Sequence, residues 1–142
     1  LTMFLALNAS VELYKGGVVP LAEYAQRPYD RDILVRVLVP KENARFVYQS
    51  VRNSQTDFPV LTCAAAKLAD GSIRAAIGAR PGKAVLYTAA PEAGETAEEF
   101  AARFAAEVKA DIKTESNLRG GAEYRRHLAG VLTKRAVCRL EG

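Results

Sequence analysis

The first third of the chain alternates apolar and polar positions over short segments, which is typical of strands separated by turns. Residues 4–14 predict a first strand, which the Gly16-Gly17 pair ends with a turn. Pro20 predicts the start of a helical turn that continues over residues 22–24. Residues 33–39 give the strongest strand pattern, because they are rich in branched side chains and stop at a proline, which has no N–H to donate to a strand ladder.

The middle of the chain predicts a β-hairpin. Apolar residues 58–68 and residues 72–79 flank Asp70-Gly71, a dipeptide that favours a tight hairpin turn. Residues 45–51 fit either a strand or a short helix, and the sequence alone does not decide between them. Two further segments complete this region, a polar loop over residues 52–57 and a strand over residues 84–88.

The last third of the chain has helical spacing. Thr96 and Glu99 match a capping box, and Phe100, Phe104 and Val108 then recur on one helical face. The order of strands first and helices last predicts an α+β fold, in which a small antiparallel sheet packs with C-terminal helices.

A second helix is predicted over residues 121–137. We expect its apolar stripe to face the core and its basic residues to lie on the other side. The stripe consists of Tyr124, Leu128, Val131, Leu132 and Ala136, and the basic residues are Arg125, Arg126, Lys134 and Arg135.

Composition narrows the class of protein. The 142 residues are 49% hydrophobic and 25% charged, which is typical of a folded domain. Two cysteines and one histidine exclude a disulfide framework, a Cys/His zinc site and an iron–sulfur cluster held by this chain, and they favour a cytoplasmic protein. The net charge of +4 is modest and no apolar run has the length of a membrane span, so we expect neither a nucleic-acid partner nor a membrane-spanning segment. Because the sequence starts at Leu1 and runs straight into a strand pattern, we expect that an upstream portion precedes it.

Few residues suggest chemistry on their own. Residues 78–82 resemble a phosphate loop but lack its Gly-Lys-Ser/Thr ending, so we expect an ordinary loop. We also expect an inert buried Cys63 and a surface or boundary His127. One local concentration of charge remains open to two interpretations, a solvated helix face or a docking surface for another subunit. It comprises Arg119, Arg125, Arg126, Lys134 and Arg135.

Two longer stretches, residues 48–79 and residues 115–137, resemble a known family. The first contains a loop with Arg52, then Asp57 followed by the apolar Phe58, and then a strand. The second contains Glu-Tyr-Arg-Arg at residues 123–126. They resemble the C-terminal domain of the FAD-binding (medium) subunit of molybdenum hydroxylases, the family of xanthine dehydrogenase and aerobic carbon monoxide dehydrogenase. Residues 1–42 resemble the end of the preceding FAD-binding domain, so residues 43–142 are expected to form the flavoprotein C-terminal domain.

The resemblance implies an oxidoreductase subunit. In that family, a molybdenum cofactor on a large subunit oxidises the substrate, and 2Fe-2S clusters on a small subunit pass electrons to FAD on the medium subunit. The flavin then reduces NAD⁺ or another acceptor. The glycine-rich loops that hold the FAD pyrophosphate lie upstream of residue 1 in the family pattern, so the chain by itself is expected to be inactive and to bind no FAD stably.

The resemblance also implies two flavin contacts within this chain. Leu34 stands where the family has a leucine packed on the isoalloxazine ring, and Gln49 stands where it has a lysine near the polar edge of the ring. Because an amide carries no positive charge, we predict a lower flavin potential than in a relative that has the lysine. The alternative is a non-catalytic domain for subunit interaction that keeps this fold without flavin contact.

Overall fold

A computed structural model describes residues 1–29, 31–41 and 45–142 as an α+β arrangement of two antiparallel sheets and two long helices. The first sheet has the strand order β2-β1-β3, and the second has the order β4-β5-β6-β7. The elements are α1 Thr2–Ala6, β1 Ser10–Leu13, β2 Gly17–Pro20, α2 Leu21–Tyr24, β3 Leu34–Leu38, β4 Arg45–Val51, β5 Leu61–Lys67, β6 Ile73–Gly78, β7 Val85–Ala89, α3 Ala97–Asp111 and α4 Ala122–Glu141. This architecture confirms the predicted fold class. The predicted boundary between residues 42 and 43 lies outside the described residues.

The prediction of one strand over residues 4–14 is wrong in its first half. Thr2–Ala6 forms helix α1, and strand β1 begins only at Ser10. The helix ends where Asn8 adopts a left-handed conformation with φ 54°, and the main-chain N–H of Ala9 bonds back to the oxygen of Phe4. An apolar run this short fits both the helical and the strand periodicity, so the tertiary burial of Leu5 and Ala6 selects the helix.

The ambiguous segment over residues 45–51 is a strand. All seven residues of β4 pair with β5, from Arg45 opposite Lys67 to Val51 opposite Leu61. Pairing with β5 gives the segment backbone hydrogen bonds along one edge over its full length, and it places Val47 and Val51 against the core, which selects the strand.

The second sheet lies between two layers, because both faces of its central strands are buried. Cys63 and Ala65 face α3 and α4, together with Phe100 and Leu132. The alternate residues of β5 and β6 face the first sheet and α1, and they are Ala64, Ala66 and Ala76. Alanine at these positions lets the first sheet approach closely. Because β5 is buried on both faces, its sequence is a nearly continuous apolar run rather than an alternating one.

The two C-terminal helices confirm most of their predicted features. The side chain of Thr96 accepts a hydrogen bond from the N–H of Glu99, and the carboxylate of Glu99 accepts one from the N–H of Thr96, so the capping box is present. Helix α4 continues past the predicted end at residue 137 as far as Glu141, because Leu140 is buried and Glu141 forms an ion pair with Lys67 at 2.6 Å. Within the part of the chain that the structure describes, no helix has both the length and the apolar character needed to cross a membrane.

Candidate functional site

Strand β3 carries an unusual apolar surface, and the predicted flavin contact Leu34 belongs to it. The strand lies at an edge of the first sheet, and all five of its residues are exposed. Leu34 is 44% exposed and Val35 is 52% exposed. An exposed apolar edge strand is prone to pair with other chains unless something covers it. This surface therefore has the character of a contact face.

Gln49 lies on a different layer from Leu34. It pairs with Cys63 across the β4–β5 ladder, so its side chain points to the helical layer. There the Nε2 of Gln49 donates a hydrogen bond to the main-chain oxygen of Leu132 over 3.3 Å. The structure does not bring the two predicted contacts together on one face, and the role assigned to Gln49 stays a prediction.

Tyr48, the neighbour of Gln49 on β4, faces the other way, and the sequence reasoning missed it. Together with Thr2 and Thr62 it lines a cleft of about 320 Å³ on the side of the second sheet that carries the first sheet and α1. The alternation of side chains along a strand is the signal that could have identified it, because a shift of one residue changes the face.

The loop over residues 78–82 begins in a crowded place rather than at an open anion site. A Cβ atom at Gly78 would lie 2.5 Å from Cγ2 of Thr2 and 2.9 Å from Oγ1 of Thr62, so a side chain at this position would force both threonines to shift. The guanidinium of Arg80 is held by the main-chain oxygens of Lys83 and Lys113. These contacts agree with the expected ordinary loop.

Arg125 corrects the prediction that places it on the exposed face of α4. Its side chain is fully buried. It donates hydrogen bonds to the main-chain oxygens of Val60, Glu115 and Gly120 and to Oδ1 of Asn117, at 2.5 to 2.9 Å. Burial, followed by the nearby charge of Arg119, lowers the pKa of the Arg125 guanidinium from its ordinary value. Five fixed N–H donors suit this site, and the arginine ties the loop before α4 to the start of β5.

Arg119 is also engaged within the chain. Its Nε lies 3.1 Å from the Oδ1 of Asp57, and its guanidinium stacks over the ring of Phe58 with 5.2 Å to the ring centre. Hydrogen bonds from the N–H of Phe58 and from Arg119 lower the pKa of the Asp57 carboxyl. Arg52 instead donates to the main-chain oxygen of Asp57 over 2.6 Å. The loop before β5 is therefore fixed against the loop before α4.

The cysteines and the histidine lie as expected. Cys63 is buried, and burial raises the pKa of its thiol to about 12, so it is not activated as a nucleophile. Cys138 is exposed, and both thiols are free. His127 lies exposed on α4. Among the described residues, no three His, Cys, Asp or Glu side chains are grouped so that they could hold a metal ion.

Comparison with solved structures shows that the fold is shared. Quinoline 2-oxidoreductase from Pseudomonas putida 86 matches with a TM-score of 0.75 and 19% identity, covering 99% of this chain and 55% of that one. Carbon monoxide dehydrogenase from Hydrogenophaga pseudoflava matches with a TM-score of 0.76 and 23% identity, covering 98% and 54%. Reconstituted CO dehydrogenase from Oligotropha carboxidovorans matches with a TM-score of 0.76 and 20% identity, covering 99% and 55%. The chain thus spans just over half the length of these solved chains.

Sequence comparison gives the family. No curated protein sequence matches the chain. The family described as the CO dehydrogenase flavoprotein C-terminal domain matches residues 46–140, which is more than half of the chain. The matched range contains α3 and the whole second sheet except Arg45, the first residue of β4. The chain therefore belongs to the CO dehydrogenase flavoprotein C-terminal domain family.

Proposed function

We propose that this chain is part of the FAD-binding subunit of a molybdenum hydroxylase and forms one wall of its flavin site. The observation that carries the proposal is the exposed apolar strand β3, which holds Leu34 in a chain of this flavoprotein family. A flat tricyclic ring needs an apolar surface on which to pack, and β3 supplies one that nothing within the described residues covers. Packing there would remove both the ring and the strand from water.

The described residues fit the ring of FAD better than its pyrophosphate. A pyrophosphate site needs free N–H groups at a glycine-rich helix start. Gly120-Gly121 precedes α4, but the N–H of Ala122 donates to Oγ of Ser116 and the N–H of Gly120 donates to the main-chain oxygen of Asn117. Two of the N–H groups at this helix start are therefore already used within the chain, and we assign the phosphate contacts to residues outside this sequence.

In this proposal FAD, when bound, would supply electron transfer between 2Fe-2S clusters on a small subunit and NAD⁺ or another acceptor, and a molybdopterin-bearing large subunit would oxidise the substrate. The role of this chain is to pack against the ring and exclude water from it, and Leu34 is the residue placed to do so. The enzyme would be a cytoplasmic, xanthine dehydrogenase-like oxidoreductase, and its two free thiols in this region suit a reducing compartment.

Equilibrium dialysis of FAD against the full-length protein tests the proposal. We expect saturable binding, and we expect Leu34→Lys to raise the Kd by about tenfold or more, because a charged side chain would be buried against the ring. Leu118→Lys is the matched control, since Leu118 is fully exposed in the loop before α4 and its substitution should leave the Kd unchanged. The 142-residue chain alone should show no saturable binding. An unchanged Kd for Leu34→Lys would contradict the assigned wall.

A second candidate function is a subunit-interaction domain without flavin contact. One observation favours it: the amide of Gln49 is already bonded to the oxygen of Leu132 on the helical side and carries no charge. The dialysis experiment separates the two candidates. A full-length protein that binds its partner subunits and no FAD at all would support the interaction domain.

A further inference from the structure

The outer surface of the α3–α4 pair contains an apolar groove that the flavin proposal does not use. Small residues form its floor, and it encloses about 250 Å³. Helix α3 contributes Ala102, Ala105 and Ala106, and helix α4 contributes Gly130 and Val131. We refer to these five residues as the hairpin groove. The groove lies on the side of the helices away from the second sheet, whose contacts are made by residues such as Phe104 and Leu132.

Gly130 brings the two helices close together at the centre of the groove. A Cβ atom at this position would lie 3.3 Å from Cβ of Lys109 and 3.4 Å from the main-chain oxygen of Ala105. The close approach leaves a depression between the helices rather than a ridge. Its volume of about 250 Å³ is large enough for one large apolar side chain from outside.

The rim of the hairpin groove is basic. Lys109, His127 and Lys134 line it, and all three are exposed. None of the three forms an ion pair with a described residue. By contrast, Arg103 on another face of α3 is bound by the carboxylates of Glu95 and Glu107. The chain thus neutralises Arg103, the other cation of α3, and leaves Lys109 and Lys134 without an acidic partner among the described residues.

The five basic residues that the sequence left open to two interpretations fall into two groups in the structure. Arg119 and Arg125 are engaged inside the chain. Arg126, Lys134 and Arg135 remain exposed on α4 and form no ion pair with a described residue. Arg126 and Arg135 therefore add to the positive charge that Lys134 gives to the exposed surface of α4, and among the described residues of this helix the exposed acidic one is Glu123, near its start.

We propose that the hairpin groove docks a segment of another protein subunit that presents one large apolar side chain between carboxylates. An apolar centre with a charged rim is the usual anatomy of a protein–protein interface. Complementary charge at such a rim steers association and sets the register of the partner. The inference rests on the proposed function in that the partner is a further subunit of the same complex. A floor of alanine, glycine and valine offers no aromatic ring for base stacking, which favours a protein over a single-stranded nucleic acid.

Substitutions that separate shape from charge test the proposal in the complex of the full-length protein with its large and small subunits. Ala106→Arg fills the groove without removing a positive charge, and Ala110→Arg is its control, because Ala110 is exposed on the same helix and does not line the groove. Lys109→Glu with Lys134→Glu reverses the rim, and Lys15→Glu with Lys41→Glu makes the same change in net charge on exposed residues elsewhere. Affinity for the partner subunits is the first readout, and helical circular dichroism confirms that each variant folds.

We expect both groove variants to weaken the complex by about tenfold or more, the controls to leave it unchanged, and FAD content to stay constant in all four. Carbodiimide coupling should join Lys109 or Lys134 to a partner carboxylate. A complex that keeps its affinity in both groove variants, or that couples only through other lysines, overturns the docking site and leaves the flavin proposal standing. Loss of affinity for a short oligonucleotide instead of for the subunits overturns it in favour of nucleic acid. Failure of the unmodified protein to form any complex overturns the proposed function and this inference together.

Discussion

The Nε of Arg125 donates a hydrogen bond to the main-chain oxygen of Val60 over 2.9 Å, across 65 positions of sequence. This bond joins the first turn of α4 to the residue before β5, and both residues are fully buried. The same guanidinium also holds the loop between the two helices. Arg125 is thus a structural residue of the family domain rather than part of a charged surface.

Removing this side chain should destabilise the fold strongly. We expect Arg125→Met to lower the free energy of unfolding by about 3 kcal/mol or more, because it leaves several buried carbonyl oxygens without a donor. Arg125→Lys should not restore the loss, since an ammonium cannot reproduce the planar fork. Urea unfolding measures both. Arg126→Met, at the exposed neighbouring position, should stay within about 0.5 kcal/mol of the unmodified protein, and an equal loss in both variants would contradict the role of Arg125.

The ion pair of Glu95 with Arg103 should make stability depend on pH. Their closest atoms lie 2.8 Å apart, and the hydrogen bond from Arg103 lowers the pKa of the Glu95 carboxyl from 4.5 to about 2. A carboxyl whose pKa is lower in the folded state stabilises the fold above its unfolded pKa. Its contribution is therefore present above about pH 4.5 and is lost as the pH falls to about 2.

Thermal unfolding between pH 7 and pH 2 measures this contribution. We expect Glu95→Gln to be less stable than the unmodified chain at pH 7 and the difference to vanish near pH 2. Glu98→Gln is the control, because Glu98 lies three residues after Glu95, in the first turn of α3, and forms no ion pair with a described residue. A difference that persists unchanged at pH 2 would show that the ion pair is not its cause.

The role predicted for Gln49 can be tested by restoring the charge of the family lysine. This role requires the ring to reach the helical side of β4, where the Nε2 of Gln49 bonds the oxygen of Leu132, as well as Leu34 on the first sheet. In the full-length protein, Gln49→Lys should then raise the flavin midpoint potential, because a positive charge favours the reduced, anionic ring. A shift on the order of 30 mV corresponds to about 1.4 kcal/mol for a two-electron couple. Tyr48→Lys is the informative comparison, since Tyr48 points to the opposite face of β4. A shift in Tyr48→Lys alone would contradict the role of Gln49 and would locate the ring on the side of the first sheet.

The parts of the fold that depend on local chemistry could be predicted from the sequence. The Thr96–Glu99 capping box and the proline-bounded strand β3 both depend on residues within a few positions of each other. The helix over Thr2–Ala6 could not be predicted, because its short apolar run fits both a helix and a strand, and burial decides between them. The loop and turn segments were located because glycine, proline and aspartate restrict the backbone locally.

The candidate site depended on long-range partners and was harder to predict. Charge type alone placed Arg125 in solvent, whereas its acceptors are Val60, 65 positions away, and the loop over residues 115–120. The face of Gln49 is set by its register opposite Cys63, which a single strand pattern does not reveal. The strand that contains Leu34 was predicted, because an exposed apolar edge still has the sequence pattern of a strand.

Fluorescence of a tryptophan introduced at Leu34 tests most directly whether β3 is a wall of the flavin site. The 142 residues contain no tryptophan, so Leu34→Trp adds a single reporter to this part of the full-length protein. We predict that its emission, taken as the difference from the unmodified protein, is strongly quenched when FAD is bound and recovers when FAD is removed. Tyr124→Trp should remain bright with and without FAD. Tyr124 lies on the helical layer beyond the second sheet, and its side chain is 49% exposed. Equal emission of Leu34→Trp with and without FAD would contradict the account.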